Sequence, residues 1–121
     1  MDLVTWNERS GHPDDVISTL KRSVAGLAKN VGSFKIGRTC DPDARARARD
    51  YAKFDELIVI YETMSAEHVN DVERELIEYF ETHDDISNFR GGGGGPLGQP
   101  PYYVYVVRSK TLGNKIRSFF D

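Results

Sequence analysis

"DELIVIYETMSAEHVNDVERELIEYFETH", residues 55–83, carries the two strongest secondary-structure signals of the chain back to back. The first part, DELIVIYETM, is a β-branched run with alternation and predicts a strand. The second places Val69, Val72, Leu76 and Tyr79 along one helical stripe, with Ser65 where an N-cap is wanted. A strand running into an amphipathic helix predicts a sheet with helices packed on it.

The flanking segments extend that pattern. "HPDDVISTLKRSVAGLAKNVG", residues 12–32, reads as a helix, with Pro13 and two aspartates at its start and Val16, Ile17, Leu20, Val24, Leu27 and Val31 at three- and four-residue steps. Asn30 and Gly32 suit its end. "SFKIGRTCDP", residues 33–42, is a short strand and a turn. "DPDARARARDYA", residues 41–52, predicts a second, short helix capped by Asp41 with Pro42 in its first turn. Residues 90–101 form a Gly/Pro-rich loop, "YYVYVVRS" restores a strand, and "TLGNKIRSFFD" reads as a short closing helix with Phe119 and Phe120 packing back. Residues 1–11 show no clear period and read as a loose arm, with Leu3, Val4 and Trp6 able to dock. The expectation is one α/β (α+β) domain over residues 1–121, a small three-stranded sheet flanked by helices.

The totals narrow the function. A chain of 121 residues suits one core, and a formal charge of −3 argues against coating nucleic acid electrostatically, so any such contact needs a local basic patch. Cys40 is the single cysteine, which leaves no disulfide or thiolate zinc cluster and points to a reducing compartment. His12, His68 and His83 are scattered without ligand spacing. With no leader pattern and no apolar run of roughly 18 residues, the expectation is a soluble, cytoplasmic protein without a membrane partner.

"FKIGRTCDPDARAR" resembles the second signature of the GIY-YIG nucleases: a Tyr-Ile-Gly strand, a threonine, then an arginine opening a helix. Here those positions are Lys35-Ile36-Gly37-Arg38-Thr39 and Arg45, with Phe34 in place of the tyrosine. "VERELIEYF" resembles the later helix whose glutamate holds a metal ion, with Glu73 as the matching carboxylate, and "SNFRGGGGG" resembles the segment that follows, with Asn88 at its asparagine. The family's opening Gly-Ile-Tyr strand is absent, and a predicted helix stands in its place. "PPYYVYVV" looks like that strand displaced to the C-terminal side, as a circular permutation would leave it, with Tyr103 or Tyr105 supplying the phenol.

The resemblance implies a Mg²⁺- or Mn²⁺-dependent endonuclease acting on DNA. Glu73 would hold the metal, and Arg45 would contact the scissile phosphate through bidentate, charge-assisted bonds. Arg38, Arg49, Lys35, Thr39 and Asn88 would contact substrate. Arg45 and Arg49 sit one helical turn apart, repelling each other unless an anion lies between them, whereas Arg47 reads as solvated and balanced by Asp41, Asp43 and Asp50. A tyrosine base (Tyr103, Tyr105 or Tyr51) needs a neighbouring cation to lower its pKa. The expected geometry sets the cations of the short helix face to face with Glu73 across a gap for one phosphate. A chain of this length is expected to leave no room for a separate DNA-reading module, so sequence choice would come from its loops, a homodimer or a partner. The competing expectation is a nuclease-like fold without turnover that binds nucleic acid, a nucleotide or a protein. A third is an unrelated α/β interaction domain.

Overall fold

The computed structural model describes residues 1, 3–83, 86, 88–92 and 97–109. The elements are β1 (Val4–Arg9), α1 (Pro13–Ala28), β2 (Phe34–Thr39), α2 (Pro42–Ala46), a 3-10 turn (Arg49–Tyr51), β3 (Glu56–Thr63), α3 (Ala66–Glu81), β4 (Phe89–Gly92) and β5 (Tyr102–Arg108). They make an α+β domain around one five-stranded sheet of order β1-β3-β5-β2-β4.

The three strands expected from the sequence are its centre, with β5 antiparallel to both β2 and β3. Two edge strands are added. β1 forms where a loose arm was expected: Val4, Thr5 and Trp6 pair in parallel with Leu57, Ile58 and Val59, and the Thr5 hydroxyl donates to Glu56 Oε2 at 2.6 Å. β4 forms where only a glycine-rich loop was expected, pairing Phe89 with Phe34 and Gly92 with Ile36. A side chain at position 92 would run into the Ile36 carbonyl, so glycine is what lets this strand close on β2. The expected closing helix lies outside the described residues.

Two layers cover the sheet. On one face α1 and α3 bury Leu20, Val24, Val69, Val72, Leu76 and Phe80 against Phe34, Ile36, Ile58, Val104 and Val106. On the other, α2 and the turn bring Ala46, Tyr51 and Phe54 onto Leu57, Val59, Tyr105 and Val107. Phe34 is wholly buried beneath α3, where it packs edge-on against Phe80.

The helices begin and end on local chemistry. The Ser65 hydroxyl accepts from the His68 amide at the start of α3, and Asp41 accepts from the Ala44 amide at the start of α2. α1 starts on Pro13, with the ring of His12 accepting from the Asp14 amide, and the chain leaves it through Asn30 in the left-handed region. The stretch 41–52 is not one helix. α2 stops at Ala46, and Ala48 adopts an extended conformation before the 3-10 turn. Among the described residues no helix is long and apolar enough to cross a membrane.

Candidate functional site

Gly37 and Arg38, adjacent near the end of β2, anchor two polar sets on opposite faces of the sheet. Alternation along a strand decides the sides. Gly37 pairs with Tyr105 and faces α2, whereas Arg38 pairs with Val104 and faces α3.

On the α2 face the ring of Tyr105 lies across Gly37, so closely that a Cβ there would overlap its hydroxyl. That hydroxyl accepts from Arg45 Nε at 3.1 Å and shares a 2.6 Å hydrogen bond with the Tyr51 hydroxyl. The Arg45 guanidinium lies 4.0 Å from the centre of the Tyr51 ring and donates two parallel bonds to Asp50, of 3.0 and 3.1 Å. The break at Ala48 is what swings Asp50 and Tyr51 round to meet Arg45. Lys35 also lies on this face and helps hold the Asp50 carboxyl below its ordinary pKa, after the larger effect of the Arg45 hydrogen bonds.

This arrangement corrects three expectations. Arg49 is not one helical turn from Arg45 on a common helix: it opens the 3-10 turn, so no anion is needed to relieve a repulsion between them. Asp50 balances Arg45, not Arg47. Neither Tyr105 nor Tyr103 is poised as a base. Burial, together with Tyr51, pushes the Tyr105 phenol well above its usual range despite Arg45, and burial with Glu62 and Glu8 raises Tyr103.

On the α3 face Glu73 stands among Val69, Val72, Leu76 and Phe80 as the one buried charged residue found among the described residues. Its Oε1 pairs with Arg38 Nε at 3.3 Å, and its Oε2 is buried without a partner. Burial raises its pKa and Arg38 pulls the other way. The expected confrontation of Arg45 with Glu73 across a single gap is therefore not what the fold builds, because the sheet passes between them. They are linked through the strand: the residues beneath them are neighbours, about 3.8 Å apart. Past the Ile36–Gly92 pairing, this end of β2 has no further strand beside it among the described residues.

The other expected contacts are dispersed. The Thr39 hydroxyl accepts from the Asp41 amide in the turn below β2. Asn88 sits at the far end of α1, where its amide donates to the carbonyls of Ala28 and Val31 at 2.9 and 3.0 Å, which gives it a clamping role. His12 and His68, apart in sequence, touch at 4.9 Å between ring centres. Tyr103 shares the face of Tyr105, as alternation requires. Sequence reasoning missed Asp50 as Arg45's partner. Nothing in the alternation of alanine and arginine over residues 44–49 marks the break at Ala48 that brings the two together.

A family model described as the T5orf172 domain matches residues 23–91, more than half of the chain, and the chain belongs to that family. The match spans β2, α2, β3 and α3, so it takes in Gly37, Arg38, Arg45, Tyr51 and Glu73. No curated protein and no solved structure matches the chain significantly.

Proposed function

We propose that the chain is a nuclease-like module of GIY-YIG type that cleaves DNA phosphodiesters with Mg²⁺ or Mn²⁺ held at Glu73. The observation that carries this reading is the meeting of Arg45, Tyr105 and Tyr51 over Gly37, at a position where no side chain fits. Membership of the T5orf172 domain family supports a nuclease-like, DNA-binding module. The central place of β5, antiparallel beside β2, supports reading Tyr102–Arg108 as the family's opening strand in permuted order.

Each residue has a task that its geometry allows. A phosphate offers Arg45 the same fork of two oxygens that Asp50 now supplies, so substrate can exchange for the Asp50 carboxylate. The Tyr51 ring and the Tyr105 hydroxyl hold the guanidinium flat and aimed during that exchange. Tyr105, with its raised pKa, stays protonated and acts as a hydrogen-bonding positioner.

On the other face, the unpartnered Oε2 of Glu73 is a hard oxygen donor and fits a divalent cation. No three carboxylate, imidazole or thiolate groups converge among the described residues, so such an ion would rest on one carboxylate and water, as Mg²⁺ commonly does. A bound divalent ion supplies charge neutralisation at phosphorus and a more acidic water. Arg38 works against the burial that raises the Glu73 pKa and adds positive charge beside it. The two sets would serve one phosphodiester lying over the Gly37–Arg38 end of β2.

Binding without turnover is the second reading. It is favoured by the mutual neutralisation of Arg45 with Asp50 and of Arg38 with Glu73. Supercoiled plasmid incubated with Mg²⁺ or Mn²⁺ separates the two. The nuclease reading expects nicking by the parent chain and loss of it in Arg45→Ala and Glu73→Gln. Binding with no nicking under either ion moves the conclusion to the second reading, and nicking that survives Glu73→Gln overturns the assigned site.

A further inference from the structure

The α2 layer covers only part of its face of the sheet. It lies over Leu57, Val59, Tyr105 and Val107. Towards the start of β5 the face carries Tyr103, flanked in register by Thr39 on β2 and Glu62 on β3. Trp6 of β1 stands on the same face and meets Tyr103 edge-on, 5.4 Å between ring centres and 86° between planes. An edge-to-face pair covers one face of one ring only. Trp6 is 47% exposed, unusual for the largest apolar side chain on a strand that packing could have covered.

Register fixes where this pair lies relative to Arg45. Trp6 pairs with Val59 and Val59 with Tyr105, so Trp6 is two strand spacings from Tyr105, about 10 Å. That is roughly three nucleotide steps of a stacked strand. Tyr103 lies two residues from Tyr105 along β5, about 7 Å away. The aromatic pair therefore continues the face on which Arg45 is aimed. Its rim is acidic: Glu8 and Glu62 both act on the Tyr103 hydroxyl. Two carboxylates repel phosphate, so it is not the nucleic-acid backbone that docks at this end.

We propose that Trp6 and Tyr103 form a stacking platform for an unpaired nucleobase, and that the module engages single-stranded or frayed DNA in preference to an intact duplex. The inference rests on the reading of Arg45 and Tyr105 as the phosphate site. A base within a duplex is stacked on both faces and offers no surface to Trp6, whereas every unpaired base has a free π face. The phosphate is held at Arg45 and the base of a nearby nucleotide lies on the indole, with the carboxylate rim keeping the backbone to the Arg45 side.

Trp6 is the single tryptophan of the chain, so its fluorescence reports on the platform directly. The protein is titrated, without divalent ions, with a 12-nucleotide single strand of mixed sequence and with the same sequence as a duplex. Trp6→Leu and Trp6→Phe are followed by anisotropy of the labelled oligonucleotides, after circular dichroism has matched their folds to the parent. Saturable quenching by the single strand, about tenfold tighter binding of it than of the duplex, a loss of about tenfold in Trp6→Leu and recovery in Trp6→Phe are the results expected. Equal affinity for both forms, or an unchanged preference in Trp6→Leu, overturns the platform and leaves the phosphate site standing. Failure of the parent chain to bind either form overturns the phosphate site and the platform with it.

Discussion

Replacing Glu73 and Arg38 together by apolar residues of similar volume, Glu73→Leu with Arg38→Met, is expected to leave a fold at least as stable as the parent and without nuclease function. Glu73 is 8% exposed on a helix face otherwise lined by valine, leucine and phenylalanine, and its Oε2 has no partner. An orphaned buried oxygen costs about 1–3 kcal/mol. Its one compensation is the 3.3 Å pair with Arg38, whose side chain is 19% exposed. Removing Glu73 alone strands that largely buried cation, at a cost of about 3–5 kcal/mol, whereas exchanging both partners for apolar groups is commonly neutral or stabilising by about 1–4 kcal/mol. The expected order is therefore Glu73→Leu least stable, with the double variant at or above the parent. Urea unfolding followed by circular dichroism gives the free energies, and each kcal/mol should move the melting temperature by roughly 4 °C in a chain of this size. A double variant less stable than Glu73→Leu would show that the pair is a structural clamp and would refute the argument that Glu73 is kept at the expense of the fold. Acidity gives an independent check. The folded-state pKa of Glu73 is raised, so the stability it contributes is full below its ordinary 4.5 and is lost as pH rises through the raised value. Glu73→Gln should therefore flatten the pH dependence above 4.5.

Three further outcomes follow from individual contacts, together with a counterpart on the acid side. Gly37→Ala drives the Tyr105 ring from its seat and should cost about 1–3 kcal/mol of stability and abolish plasmid nicking; parent-like nicking would contradict the role of Tyr105. Asp50→Asn removes the anion that competes with phosphate for Arg45, so DNA affinity at low salt should rise a few-fold by anisotropy, and a fall would mean that Asp50 is needed to aim the guanidinium. Asn88→Ala loses two bonds to the end of α1 and should lower the unfolding free energy by about 1–3 kcal/mol without changing DNA affinity. Glu56 is the acid-side counterpart of Glu73: burial works to raise its pKa, but bonds from Thr5 and Arg108 outweigh it and hold the value low. Its stabilisation is present above 4.5 and lost as pH falls through the lowered value, so Glu56→Gln should flatten only that acid limb.

The sheet was legible where residues are buried on one or both faces, because burial imposes a pattern. β3, β5 and β2 and the stripes of α1 and α3 all declared themselves in this way. β1 did not, since four of its six residues, Trp6–Arg9, are exposed and leave no alternation to read. β4 did not, since its four residues include two glycines, Gly91 at a positive φ and Gly92 where β2 leaves no room for a side chain. The site was legible by residue type and not by arrangement. That Arg45 meets Tyr105, 60 positions away, depends on the pairing of β2 with β5, and that Glu73 meets Arg38 depends on α3 crossing the opposite face. The alternation of alanine and arginine in residues 44–49 gave no sign of the break at Ala48, which decides that Asp50 faces Arg45.

The most direct test asks whether the two faces of β2 act on one phosphodiester. Single-turnover plasmid nicking is measured for Arg45→Lys, Glu73→Asp and the double variant, substitutions that keep charge and leave a measurable rate. If both residues serve the same bond, the double variant should be about as slow as the slower single variant, because groups acting as a unit are not additive. Rates that fall by the full product of the two single effects would mean independent sites, and would contradict the account.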